Sequence, residues 1–292
     1  MPLRASLLPS GLRHLVAGLG VALAACAGAK AERADAPAAA ASGSASTNVA
    51  PTGRLPDCTR PFTLGMHEHG LLYKSQTGEG IDKDIANEIA LRSGCHLVLT
   101  VLPRARIWQL IETGALDFTL SGIGNPQRAQ FAAFAWYMSN KYYLFVRRDA
   151  EVRSVAEFRR NPELRLGLIR SFRYGDHAND FVDALEGQQR VTYAGSLDPL
   201  YAILLGGEIQ AMIIEPFDFP EIASAQLKAQ TAILEFGDAA VLHGLVMSKR
   251  SLSTAQQSAW RDVIRGLCAD GTMRRIFEKY FPADLARQMT QF

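Results

Sequence analysis

The residues whose types and order could do chemistry begin with Ser121-Gly122-Ile123-Gly124 and the Asn125-Pro126-Gln127-Arg128 that follows. Asn is a strong helix N-cap and Pro is favoured at the first helical position, so this stretch reads as the end of a strand turning into a helix. The glycines let backbone N–H groups approach a ligand closely, and Gly122 is a candidate contact for that reason. A helix start is a natural anion site. Arg128, in the first turn, adds a planar fork that can hold a carboxylate by two hydrogen bonds. Ser121, closing the strand, offers a hydroxyl beside it. The alternative is a surface arginine after a capped turn, but a residue just past the C-terminal end of a parallel strand stands where α/β sheets bind ligands.

Other chemistry-bearing residues are scattered. Arg170 ends an apolar strand and is followed by Ser171, Phe172, Arg173 and Tyr174; two arginines there suit a ligand with a second acidic group, or stand solvated. His67 and His69 point the same way if their strand continues, which raises a metal site. Without further ligands, cleft-lining polar side chains are the better reading, and His69 is taken as a ligand contact with Tyr73 as a stacking partner. Trp108 and Trp136 fall on helical or turn positions where core packing is the default. There is no nucleophile with its base and no metal cluster in the pattern, so no catalytic residue, metal or cofactor is assigned and the chain is read as a non-enzyme.

The elements that must carry these residues alternate. Strand patterns at 62–66, 96–101, 117–121 and 142–147 are separated by helical patterns at 82–93, 105–113 and 126–134, with Gly94 a natural stop for the first. Such alternation implies a mostly parallel sheet with helices on both faces. The theme then returns: Leu110 to Gly122 and Ile203 to Glu215 share one order of helix end, Gly turn and apolar strand, so that Gly114 falls on Gly207 and Leu116 on Ile209. Two similar sheets are implied. A strand pattern at 241–247 leads into helices over 254–268 and 273–281, interrupted by Asp270-Gly271. The chain is expected to cross between lobes near 147–152 and again near 238–244, and paired crossings make a hinge. The lobes are drawn as 57–148 plus 245–292, and 149–244.

Composition fits an exported globular protein. Hydrophobic residues make up 48% and charged residues 21%. From Asp57 onward 26 basic residues face 27 acidic ones, so there is no basic field and nucleic acid is not an expected partner. Residues 1–25 read as a signal peptide: Arg4 and Arg13 precede the apolar run Leu15 to Ala25, which is too short to span a bilayer as a mature helix. Leu23-Ala24-Ala25-Cys26 is similar to a bacterial lipobox, which implies lipidation of Cys26; ordinary cleavage near Ala29 or Ala31 is the alternative. Residues 26–56, rich in Ala, Ser, Thr, Gly and Pro, read as a flexible linker from that anchor. Of the remaining cysteines, Cys58 and Cys95 each immediately precede one of two strands in a βαβ unit, whose equivalent ends lie close together. A Cys58–Cys95 disulfide is predicted, against two unpaired buried thiols. Cys268 sits on an apolar helix face as an inert thiol.

Several blocks together resemble the family-3 extracellular solute-binding proteins of amino-acid ABC transporters. Gly80-Ile81-Asp82-Lys83-Asp84-Ile85-Ala86 is similar to their GFDVDLA block, Gly114-Ala115-Leu116-Asp117 to GKVDL, and Ser121 to Arg128 to AGMTITPER. Further on, Gly167 to Arg170 looks like the first strand of the second lobe, Gly207 to Glu215 like GRVDAVVTD, and Asp270 to Met273 with Lys279-Tyr280-Phe281 like the closing block. The resemblance implies a two-lobed periplasmic-binding-protein fold with a two-segment hinge, closing on a small polar solute, an amino acid or related carboxylate, for an ABC permease. It implies that Arg128 grips the ligand's α-carboxylate. Glu215 stands where amino-acid binders carry Asp, as the ammonium partner, or else it caps the turn at Pro216; Asp218 is a nearby substitute. A monomeric lipoprotein of the periplasm or cell envelope is expected, anchored through lipid. The same resemblance leaves two other readings, a periplasmic lyase similar to cyclohexadienyl dehydratase and a ligand-sensing subunit of a separate receptor.

Overall fold

A computed structural model describes residues 54–292. The expected signal peptide, Cys26 and all but the end of the linker lie outside the described residues. The chain builds β1 (Phe62–Met66), α1 (Ile81–Ser93), β2 (Leu97–Val101), α2 (Arg104–Thr113), β3 (Phe118–Ile123), α3 (Arg128–Phe131) and β4 (Ala132–Asn140). It then crosses into a second lobe of β5 (Tyr143–Arg147), α4 (Val155–Arg160), β6 (Leu166–Ile169), α5 (Asp176–Glu186), β7 (Val191–Ala194) and α6 (Leu197–Gly206). That lobe continues with β8 (Ala211–Ile214), α7 (Phe219–Ile222), α8 (Ala225–Gln230) and β9 (Thr231–Glu235). The return strand β10 (Val241–Ser248) is followed by α9 (Thr254–Ala269), α10 (Thr272–Glu278) and α11 (Ala283–Thr290).

The first sheet has the order β2-β1-β3-β10-β4 and the second β7-β6-β8-β5-β9. Each is mixed, which corrects the expectation of mostly parallel sheets. In the first, β2, β1 and β3 pair in parallel while β10 is antiparallel to both its neighbours. In the second, β7, β6 and β8 pair in parallel and β5 is antiparallel to β8 and β9. The reversed strand is in each case the one that has just arrived from the other lobe. A strand entering through the cleft must run away from it, whereas the resident strands end there.

The same pairing moves the lobe boundaries. β5 belongs to the second sheet and all of β10 to the first, so the crossings fall at Lys141–Tyr142 and over residues 236–240 rather than after Arg148 and near 244. The misplacement comes from β4. Its Ala-rich beginning has good helix propensity, and a helix was expected over 126–134; instead α3 stops at Phe131 and the chain pairs with β10 along its length. Cross-strand packing overrides local preference here. Trp136 therefore sits on a strand, stacked on Phe134 with ring centroids 4.8 Å apart.

Capping follows the sequence closely. Gly94, Gly114 and Gly207 end α1, α2 and α6 in the left-handed conformation, with φ of 73°, 79° and 81°. Gly114 and Gly207 thus do the same work in the two repeats. In the first lobe Phe62 and Phe118 each meet Trp260 edge to face and lie tilted against one another, with centroids 4.9–5.5 Å apart. Asp117, from the block similar to GKVDL, is structural: it accepts two hydrogen bonds from Arg60 and two from Thr63. The structure joins Cys58 to Cys95, with Cα atoms 5.0 Å apart, at the outer ends of β1 and β2. Cys268 is free and half-buried, and burial pushes its thiol up to about 11.

Candidate functional site

The ends of β1 and β3 and the starts of α2 and α3 bring His67, Arg104, Ser121, Ile123 and Arg128 to one wall of a cavity between the lobes. Ser171, Phe172, Arg173 and Glu215 approach from the second lobe, Tyr142 from the first crossing and His243 from the start of β10.

Arg128 is where the sequence places it. Asn125 Oδ1 accepts from the Arg128 backbone N–H at 2.8 Å, the capping bond the residue types called for. Its guanidinium lies 3.8 Å above the Trp108 ring and donates to Ile123 O at 2.9 Å and, across the cleft, to Ser171 O at 2.7 Å. Burial, with the charges of Arg104 and Arg173, brings its pKa down to about 9, so it remains protonated at neutral pH.

Arg104 is the residue that the sequence reading missed. It is 6% exposed and donates to Leu120 O at 3.3 Å, Ser121 O at 3.1 Å, Thr119 Oγ1 at 3.4 Å and His67 Nδ1 at 3.5 Å. It too lies over Trp108, at 5.3 Å. The signal was available: Arg104 follows β2 as Arg128 follows β3, at the ligand-binding end of a parallel strand. Trp108 is the platform that holds both cations.

Ser121 lines the cavity, but its hydroxyl donates to Asp82 Oδ1 at 2.6 Å and lies 3.1 Å from Tyr137 Oη, while its N–H donates to that same phenol at 2.7 Å. Its φ of 50° is a left-handed strain that these bonds hold in place. Burial raises Asp82 to about 7, against the opposing pull of Ser121 and Arg104. Gly122 is not on the cavity wall. It faces β10, where a Cβ would come within 2.2 Å of Val246 Cγ2.

Glu215 and His69 meet each other instead of standing free. His69 Nε2 is 2.8 Å from Glu215 Oε1 and 3.3 Å from Asp218 Oδ1, and Asn140 Nδ2 donates to Glu215 Oε2 at 2.7 Å. Burial would depress His69, but Asp218 and Glu215 outweigh it and raise its pKa; burial would raise Glu215, but His69 and Asn140 bring it below its ordinary value. The pair is thus ionic. Glu215 also caps the short 3-10 turn Pro216–Asp218, in a reciprocal arrangement with Asp218. Of the two alternatives left open by the sequence, the cap is present, while the charge that was expected to face a ligand ammonium faces His69. Arg170 does not reach the cavity; it is exposed and stacks at 5.1 Å on Tyr193. Tyr73 is packed against the first lobe's core, with its backbone paired to His69.

One more bond ties the first crossing to β10. His243 Nδ1 lies 3.0 Å from Val241 O, so Nε2 is the acceptor for Tyr142 O–H at 2.8 Å. Burial pushes His243 down to about 4 and holds it neutral.

Residues 65–283 match the family described as bacterial extracellular solute-binding proteins, family 3. A sequence comparison with curated proteins gives no match. Among solved structures, the arginine-, lysine-, histidine-binding protein ArtJ of Geobacillus stearothermophilus is similar with a TM-score of 0.65 and 15% identity, over 78% of this chain and 100% of that one. An ABC uptake transporter substrate-binding protein of Streptococcus pneumoniae with bound histidine gives 0.63 and 14%, over 76% and 92%. The GluR0 ligand-binding core of Nostoc punctiforme in complex with L-glutamate gives 0.62 and 15%, over 76% and 99%. At these identities the structures establish the fold. The family match spans both lobes and the cleft between them, and its members bind solutes outside the cytoplasm rather than transform them. This chain belongs to the bacterial extracellular solute-binding proteins of family 3.

Proposed function

We propose that this protein captures a small carboxylate-bearing solute, an amino acid or a close relative, between its lobes and delivers it to an ABC permease. The observation that carries this reading is Arg128, a protonated guanidinium, 9% exposed, on the cavity wall with only carbonyl oxygens as partners. A buried cation without a counter-charge is costly, and a ligand carboxylate is the natural partner for its fork. Histidine, arginine and glutamate are among the ligands that the structurally similar proteins carry in their descriptions. Cys26, lipidated, would tether the protein to the membrane through residues 27–56, and the molecule acts as a monomer.

Thermal unfolding of the purified protein against amino acids and small organic acids tests this. A true ligand at one hundred times its dissociation constant stabilises the fold by about 2.7 kcal/mol. Stabilisation by no carboxylate at all would overturn the reading, as would recovery of the best ligand in chemically altered form.

A further inference from the structure

The groups around the cavity specify more than one carboxylate. This step rests on the function proposed above and names the ligand class within it. Arg104 and Arg128 are both buried, both lie over the same indole, and every acceptor they reach is uncharged. The acid nearest Arg104 in effect is Asp82, which is hydrogen-bonded to Ser121 and carries only part of its charge at neutral pH. A third guanidinium, Arg173, stands at the cavity's mouth.

His67 supplies an independent sign. Arg104 can only donate, so the Nδ1 of His67 accepts and its proton is on Nε2. That Nε2 is buried and has no partner. Burial, with Arg104 and His69 alongside, holds the ring neutral. His67, a lining residue, thus carries an orphan N–H donor beside an unpaired cation.

No matching acceptor awaits an ammonium. Glu215 is the one carboxylate among the lining residues, and both its oxygens are engaged, by His69 and Asn140. Tyr142 gives its proton to His243. Asn140 Oδ1, which has no partner, and Asp218 Oδ1, which faces His69 at 3.3 Å, belong to residues that do not line the cavity. A cavity with two unpaired cations, an orphan donor and no free anion has the electrostatic complement of a dianion.

We infer that the ligand is a short dicarboxylate without an ammonium group, one carboxylate held by Arg128 and the other by Arg104 together with His67 Nε2. An added ammonium would be buried without a counter-charge, and a missing second carboxylate would leave Arg104 unpaired.

Calorimetric titration of the protein at pH 7.5 with succinate, glutarate, L-glutamate, L-glutamine and butyrate separates these features. Succinate or glutarate should bind tightest, with glutamate, glutamine and butyrate each weaker by about tenfold or more. Glutamate tighter than both diacids, or glutamine or butyrate equal to them, would overturn the dicarboxylate assignment while leaving carboxylate binding standing. If none of the five binds but another monocarboxylate, such as arginine or leucine, stabilises the fold, the dicarboxylate assignment falls alone; if no carboxylate does, both fall together. Arg104→Gln should cost the best diacid on the order of a hundredfold and change butyrate binding little. Arg104→Lys, which keeps the charge and loses the fork, should fall between. Equal losses for diacid and butyrate in either folded variant would count against the assignment. Should both variants misfold, the ligand series on the unaltered protein decides.

Discussion

The two jaws of the cleft spend their charges differently. The first lobe keeps Arg104, Arg128 and His67 pointed at the cavity with donors to spare. The second lobe commits its acids to the first lobe: Glu215 and Asp218 to His69, and Glu221 to Lys74 at 2.8 Å. It also sends an apolar side chain across. Phe217, fully buried, packs in the first lobe's core against Phe281 and Phe277, with centroids 5.8 and 6.5 Å away, and its carbonyl accepts from Leu71 N–H at 2.9 Å. One jaw recognises and the other fastens. Charge placement alone would not separate these roles, because both jaws hold buried ionisable groups; what separates them is whether each group faces an opposite charge of the protein.

The sharpest way to break this comparison is Phe217→Ala. Truncating a fully buried phenylalanine costs about 3–5 kcal/mol. Because the side chain is buried only when the lobes meet, the loss should fall on the closed form. Solution scattering should show a larger radius of gyration, and ligand affinity should drop with the population of closed molecules. An unchanged radius and affinity would remove closure from the second lobe's account. Next in size, Arg128→Ala should weaken the best ligand about a hundredfold by titration, through loss of a charged hydrogen-bonding partner, with the unliganded scattering curve unchanged. If Arg128→Ala opened the molecule instead, its bond to Ser171 O would be a fastening like Glu215's, and the contrast between the jaws would fail.

The sequence carried the first jaw better than the second for a physical reason. Arg128 was legible because cap, proline, glycines and charge are local signals that act over four or five residues. The helix stops at Gly94, Gly114 and Gly207 were legible in the same way. β4 was not, because its strand character comes from pairing with β10, more than a hundred residues away, and without β4 the hinge was drawn too late. Arg104 has no local motif; its importance comes from Trp108 and the ends of β1 and β3 converging on it. Glu215 and His69 were each found but their pairing was not, since they lie 146 positions apart and only lobe closure brings them together. Arg170 and Tyr73 were drawn in by sequence position relative to strands, and side-chain direction then took them elsewhere.

A gentler probe is Glu215→Gln, which keeps the size and one acceptor but removes the charge facing His69. Loss of a charged, buried hydrogen bond costs about 1.5–3 kcal/mol. Since the bond spans the lobes, the expected result is a roughly tenfold or greater fall in affinity for every ligand alike. A fall confined to ligands that carry an ammonium group would mean that Glu215 reads the ligand, and would return recognition to the second jaw.

The smallest expected effect is the pH dependence of the same contact. His69 has a pKa raised above 6.5 in the closed form, so its contribution is complete below about pH 6.5 and is lost as pH rises through the closed-state value. Asp218, raised to about 7 by burial and by Glu215, acts in the same direction, because closure favours its neutral form. Glu215, lowered beneath 4.5 by His69 and Asn140, contributes above that pH and fades only as acid protonates it. His243 and Arg104, which also act on this cluster, stay neutral and protonated respectively through the neutral range, and the charge of Glu221 adds to the upward push on Asp218. Affinity should therefore decline on the alkaline side, by about tenfold or less, for a ligand whose own charge is constant there. His69→Gln should flatten that limb. A decline of equal size in His69→Gln would assign it to Asp218 if centred near 7 and to Arg128 if centred near 9, and only the second outcome would move the pH response from the fastening jaw to the recognising one.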